Sequence, residues 1–348
     1  MKEKVQRVLN ILKNFSDEEM QMLMAYMFEN NMRYSARSLN SIIGNNRFKN
    51  GIVCPKCHSD NVSRNGKPDG KQNYVCKDCG SYFSNTTETI VFKSKHGFDT
   101  WKEYVKCMLM GLSIRESAVK CGIANTTAFY WRHKILGALQ NITEIKQKLS
   151  GIVEADETFF PMSFKGNHSK DGFTMPRKAK HRGTSAKKRG LSNEQVCVPC
   201  AVDRNDGIVA MVSGTGKTST AKLKAVFDNR ICENSVIVTD KESSYRRFAR
   251  ENDLELIQIR AEQRVYKGVY HIQHVNSFHS HLKAFMEGFK GVSTKHLNNY
   301  LVWYAWMQMN RELSEESLER NILNSSMSHN FRLLTSEISQ KPALPLAA

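Results

Sequence analysis

A chain of 348 residues has room for two or more domains and a substantial core. Its 51 Lys and Arg stand against 34 Asp and Glu, and a net charge of +17 favours a polyanion as partner. No window approaches the roughly 20 apolar residues of a membrane span, and the opening Met1-Lys2-Glu3-Lys4 lacks a signal-peptide core, so membrane and secreted classes are excluded and a cytoplasmic location is expected. The nine cysteines are odd in number, and four fall in a metal-like spacing, which argues against a disulfide framework.

In chain order, residues 1–48 read as helical. Val5, Val8, Leu9 and Leu12 recur at helical spacing, and Ser16-Asp17-Glu18-Glu19 has the form of a helix cap with acids in the first turn. The Met20, Met22, Met24 and Met27 stripe suits packing or self-association. Residues 49–90 carry Cys54-Pro55-Lys56-Cys57 and, after 18 intervening residues, Cys76-Lys77-Asp78-Cys79. Two such pairs supply the closed tetrahedral shell of a structural Zn²⁺ and predict a zinc ribbon. Lys56, Arg64, Lys67, Lys71 and Lys77 make DNA contact there plausible, but whether the ribbon grips DNA or props its neighbours is open.

Residues 95–148 are again helical. Trp101, Val105, Met108 and Leu109 mark one helix; Ser113 and Glu116 form a capping box for a second; Cys121-Gly122-Ile123 makes a short turn; Asn125 begins a third. Two helices joined by a glycine-containing turn are the helix-turn-helix signature, with an ordinary helical hairpin as the competing reading. Under the first reading Thr126, Thr127, Tyr130 and Arg132 read DNA.

After Gly151 the periodicity changes from helix-like to strand-like, and a main domain is expected over residues 150–310. Strands are predicted at Gly151 to Phe160, Val196 to Val202, Ile208 to Val212, Val236 to Asp240 and Leu254 to Ile259, with helices at Thr218 to Phe227 and Tyr270 to Phe289. An insertion over 163–195 holds nine Lys or Arg against two acids. Such a run is usually a solvated loop, yet its place beside the first strand suits tracking of a DNA backbone through Arg177, Lys178, Lys180, Arg182, Lys187, Lys188 and Arg189. The tail, 311–348, has a helical stretch from Glu315 to Leu323.

The acids carry the chemistry. Asp156 lies in an apolar strand, Asp240 ends a later one, and Asn276 and Lys283, seven residues apart, share one face of a helix. Carboxylates in apolar strands need partners, and a divalent cation is the obvious one. An acid on each of two strands and an oxygen ligand on a following helix make a site for two hard cations that clamp an in-line phosphoryl displacement. Strand alternation sets Glu154 on the face of Asp156 and Glu157 on the other.

This arrangement resembles the DDE transposases and integrases, and most of all the zinc-ribbon insertion-sequence transposases of the ISXO-like group, where the third position is Glu or Asn with Lys seven residues later. The resemblance is carried by Glu154-Ala155-Asp156-Glu157-Thr158, by His274 through Lys283, and by Gly291-Val292-Ser293-Thr294-Lys295-His296-Leu297, and it covers most of the chain. It implies an α/β catalytic core of RNase H-like fold, a mixed sheet flanked by helices. It implies a transposase that cleaves transposon ends and joins the 3′-hydroxyl to target DNA, with Mg²⁺ or Mn²⁺ at Asp156, Asp240 and Asn276 and a phosphate held by Lys283. Terminal inverted repeats and target DNA are the implied partners, with a homo-oligomer, at least a dimer, on DNA. Glu154 and His279 are auxiliary candidates. The rival is a domesticated transposase that binds DNA as a regulator without strand transfer.

Three tempting signals are set aside. Gly214-Thr215-Gly216-Lys217-Thr218 lacks the earlier glycine of a nucleotide-binding loop, since that position is Met211, and reads as a strand-to-helix turn with a Thr cap. Cys197 and Cys200 read as buried thiols. His271, His274 and His281 suit phosphate contact better than metal binding.

Overall fold

The computed structural model describes residues 14–16, 19, 20, 22, 43–68, 72–146, 148–167, 194–240, 242–259, 265 and 268–342. Most of the predicted first helix and the basic residues Arg177, Lys178, Lys180, Arg182, Lys187, Lys188 and Arg189 lie outside them. Ser16 and Glu19 are described and cap one another as expected, the Ser16 amide donating to the Glu19 carboxylate at 2.8 Å.

A small antiparallel sheet comes first, from β1 (Val62–Arg64), β2 (Asn73–Cys76) and β3 (Tyr82–Ser84) in the order β1-β2-β3. Three short strands bury little apolar surface, and Tyr74, Phe83 and Phe48 make a core of their own with Cys54 and Cys76. So small a core normally needs a metal to hold it.

Helices α1 (Phe98–Leu109), α2 (Ile114–Cys121) and α3 (Asn125–Lys146) follow. The predicted capping box is present: the Ser113 side chain accepts from the Glu116 amide, and the Glu116 carboxylate accepts from the Ser113 amide. Gly122 ends α2 in the left-handed region (φ 62°), where glycine carries no Cβ penalty. Trp101 stacks on Trp131 with ring centroids 3.7 Å apart, joining α1 to α3.

The large sheet holds β4 (Ile152–Pro161), β5 (Gln195–Asp203), β6 (Ile208–Ala210), β7 (Gly214–Thr215), β8 (Val236–Thr239) and β9 (Glu255–Gln258). Its order is β6-β5-β4-β8-β9, with β7 also on β5. The first three strands of the domain are antiparallel, while β4, β8 and β9 run parallel. Helices α4 (Thr220–Phe227), α5 (Ser243–Glu251), α6 (Gln273–Gly288) and α7 (Leu297–Met309) flank this mixed sheet. The order of three antiparallel strands, helix, strand, strand and helix is the one expected above, except that α5, between β8 and β9, was not predicted. The cap of α4 is Ser219, whose hydroxyl accepts from the Lys222 amide, rather than the expected Thr.

Burial on both faces explains the near-continuous apolar strands. On one face Val153, Ala155, Ala201 and Ile237 pack with Leu223, Phe227, Tyr245 and Phe248 of α4 and α5. On the other, Val198, Cys200, Val202 and Ile208 pack with Val275, Phe278 and Leu282 of α6 and Leu301 of α7. Cys197 and Cys200 are buried, as expected. The C-terminal helices α8 (Glu315–Met327) and α9 (Thr335–Ser339) extend the α1–α3 bundle, and Ile322, Leu323 and Met327 share its core with Trp303 and Trp306 of α7.

Candidate active site

The register of β4 on β8 fixes the two acids. Glu154 stands opposite Val238 in parallel pairing, so continuing two places along both strands sets Asp156 beside Asp240. Alternation puts both on the α6 face, because Ala155 and Ile237 fill the opposite core. β8 stops at Thr239, which leaves Asp240 exposed at the carboxyl end of the sheet, its Oδ1 accepting from the Glu242 amide at 3.0 Å.

Helix α6 is held over this edge by a buried carboxylate. Glu154 is only 1 % exposed, and its Oε2 accepts from the backbone amides of His274 (2.7 Å) and Val275 (3.2 Å), two of the orphan donors at the start of α6. Its Oε1 meets Arg204 Nη1 at 2.6 Å, His274 Nδ1 at 2.7 Å and His271 Nδ1 at 3.1 Å. Glu154, His271 and His274 are close enough to share a metal ion, but the Arg204 guanidinium already supplies the cation there, touching both Glu154 and His274. The expectation that His271 and His274 face phosphate is therefore corrected: both rings turn onto Glu154. His281 is exposed, with its ring near the Ser277 hydroxyl at 3.4 Å.

Along α6, Val275, Phe278, His279 and Leu282 are buried and Asn276 and Lys283 exposed. His279 reaches the acids, with Nδ1 3.7 Å from Asp156 Oδ2. Burial, reinforced by the Lys283 ammonium, pushes the His279 ring down to about 4. Burial raises Asp156 to about 6; the Glu157 amide opposes this, Asp240 adds to it, and Lys283 opposes it again. Asp240 and Lys283 thus act on Asp156, and Lys283 on His279, while no side-chain contact of Asn276 with either acid is found among the described residues.

Glu157 lies on the α5 face, as alternation predicts, and burial lifts it to about 7, with the Tyr245 hydroxyl opposing and Asp156 and Asp240 adding to the shift. Its Oε1 is buried without a hydrogen-bond partner among the described residues. Clustered carboxylates pushed upward by burial and by each other, with an orphaned oxygen beside them, are a donor set short of positive charge, and oxygen-seeking divalent cations fit it.

In the ribbon the four thiols converge. Cys54 and Cys79 sulfurs are 3.6 Å apart, as are those of Cys57 and Cys76, close to the edge of about 3.8 Å of a tetrahedron with Zn–S bonds near 2.3 Å. The Ser81 hydroxyl beside Cys79 pulls that thiol down to about 6, toward the thiolate that zinc requires.

Residues 148–308 match the family model of the ISXO2-like transposase domain. The core is similar to an ISXO2-like transposase domain. Ahead of it, residues 51–80 match the InsA N-terminal domain, a zinc ribbon. The chain is 24 % identical over 271 residues to an uncharacterized protein in transposable element ISH50 of Halobacterium salinarum, covering 77 % of this chain and 88 % of that protein. Solved structures of a pre-cleavage Mos1 transpososome and of a Mos1 strand transfer complex align with 11 % identity, over 65 % and 66 % of this chain and 78 % of each of theirs, with TM-scores of 0.20 and 0.25. Overlap that loose adds nothing to the fold, which rests on strand order and direction.

Outside residues 148–308, the expected DNA readers divide. Thr126 is exposed and Thr127 half-buried at the start of α3. Tyr130 is half-buried, its hydroxyl 3.1 Å from that of Ser339. Arg132 corrects the expectation: it is fully buried, donating to the Leu112 carbonyl at 2.8 Å with its guanidinium over the rings of Trp303 and Phe289. Helix α3 is covered by α2, α7 and α8, so a residue two turns past its start is already inside the bundle.

Arg204 was missed because its function comes from Glu154, on a strand 50 positions away. The available signal was an acid inside an apolar strand with the parity of Asp156, which demands a buried cationic or N–H partner.

Proposed function

We propose that this protein is a DNA transposase that cleaves the ends of a mobile element and joins the freed 3′-hydroxyl to target DNA. What supports the reading is that the β4–β8 register, continued two residues past its last pair Glu154–Val238, brings Asp156 and Asp240 side by side, with Asp240 and Lys283 both acting on the Asp156 charge. Mg²⁺ or Mn²⁺, held by Asp156 and Asp240 with Asn276 as a neutral oxygen donor, would stabilise the attacking and leaving oxygens of an in-line displacement. Lys283 holds a phosphate of the reacting strand as a point charge. Cleavage and joining use the same arrangement, so neither requires a covalent bond to the protein.

DNA is gripped outside this centre. The exposed start of α3, with Asn125 and Thr126, enters the major groove behind the α2–α3 turn, and the basic insertion follows the phosphate backbone. Zn²⁺ on Cys54, Cys57, Cys76 and Cys79 holds the ribbon together. Two copies of the chain bring two element ends together.

The test is a gel assay with labelled DNA carrying the inverted repeats that flank the gene. Nicked and joined products with Mn²⁺, lost in Asp240→Ala, support the transposase. Binding without cleavage points to a DNA-binding regulator, and cleavage without joining to a nuclease.

A further inference from the structure

The resemblance assigns the contribution of α6 to Asn276, but the distances single out another atom. Among the described residues, the contact recorded between α6 and Asp156 is made by His279, whose Nδ1 lies 3.7 Å from Oδ2. Asn276, one turn earlier, is exposed and turned about 60° around the helix from His279 at 100° per residue. His279 sits where the buried stripe of Val275, Phe278 and Leu282 meets the row of Asn276 and Lys283, so it is the side chain that leaves the core at the level of the acids.

The gap has a chemical meaning. Hydrogen bonds between nitrogen and oxygen fall at about 2.7–3.2 Å, so 3.7 Å is not one. Two ligands about 2.1 Å from one cation lie from about 3.0 Å apart at a right angle to about 4.2 Å apart on opposite sides, and the observed separation falls inside that range. The other ring nitrogen, Nε2, is buried and has no hydrogen-bond partner among the described residues.

We propose that His279, through Nδ1, is an additional α6 ligand to the cation bound by Asp156. This rests on the reading of Asp156 as a metal ligand. A nitrogen donor makes the centre favour Mn²⁺ over Mg²⁺, because Mg²⁺ is a hard ion that takes oxygen and keeps its waters.

The experiment uses the full-length, zinc-loaded protein titrated with Mn²⁺ and read by electron paramagnetic resonance, with spin-echo modulation reporting nitrogen bound to the ion. Expected is ¹⁴N modulation that persists in Asn276→Ala and in His271→Gln/His274→Gln and disappears in His279→Gln, with Mn²⁺ binding weakened about tenfold or more. Growth with ¹⁵N-histidine changes the modulation of the unsubstituted protein, a readout independent of how His279→Gln folds. Mn²⁺ bound in an Asp156-dependent way with no nitrogen modulation, or modulation surviving His279→Gln, overturns the proposal and leaves the two-cation reading standing. Mn²⁺ binding unaffected by Asp156→Asn overturns both.

Discussion

Glu154 on β4 accepts a hydrogen bond of 2.7 Å from the backbone amide of His274 at the start of α6. It stands two residues from Asp156 on the same face, so one carboxylate ties the strand bearing the first acid to the helix bearing Asn276, His279 and Lys283. Glu154→Ala leaves two helix amides and the partly exposed Arg204 guanidinium without their carboxylate acceptor, and we expect a loss of about 1–3 kcal/mol in urea unfolding. Glu154→Gln keeps part of the amide bonding, so its loss is smaller, yet it releases Arg204 and lowers Mn²⁺ affinity at Asp156.

Asp156 trades stability for cation binding. Its folded pKa of about 6 lies above the ordinary carboxyl value of 3.8, so the folded chain holds this proton more tightly than the unfolded one, and stability falls as pH rises between those values. His279 and His296 are shifted the other way by burial and favour the folded state as pH rises over the overlapping range, so the pH profile of the unsubstituted protein is blunted. The difference from Asp156→Asn isolates the acid. Without added Mg²⁺ or Mn²⁺, the variant is expected to be more stable at pH 7, by on the order of 2–3 kcal/mol, and no more stable at pH 4, measured by urea unfolding at both.

Arg132→Ala is expected to destabilise the chain by about 2–4 kcal/mol through lost packing and the unpaired Leu112 carbonyl, while Thr126→Ala leaves stability within about 0.5 kcal/mol and weakens binding to end DNA. Paired urea unfolding and filter-binding measurements separate the two. Arg132→Ala that unfolds like the unsubstituted protein would mean that its burial contributes nothing.

Cys76→Ser is expected to lower bound zinc from one ion per chain to none and to open residues 54–84 to protease, because the ribbon's own apolar core is only a few side chains. Zinc content and limited proteolysis measure both.

Much of the core was legible because its strands are buried on both faces. Val236–Thr239 could hardly be anything but a strand, and Asp240 follows at its carboxyl end. The capping box at Ser113 and the cysteine spacing were equally local. What was not legible depended on residues distant in sequence. Arg132 has the spacing of a groove-reading side chain, and only the packing of Trp303 and Phe289 around it removes it from solvent. His274 looked free to meet phosphate until Glu154, 120 positions earlier, was seen to accept from it. His279 lies one turn from Asn276 in sequence, but its distance to Asp156 is a property of strand register and helix placement together.

The most direct measurement of the central claim is a Mn²⁺ anomalous difference map from crystals of the zinc-loaded protein grown with MnCl₂. Density between Asp156 and Asp240, absent in Asp240→Ala crystals, is the predicted result. Anomalous density confined to other parts of the molecule, or none above that of zinc, would contradict it.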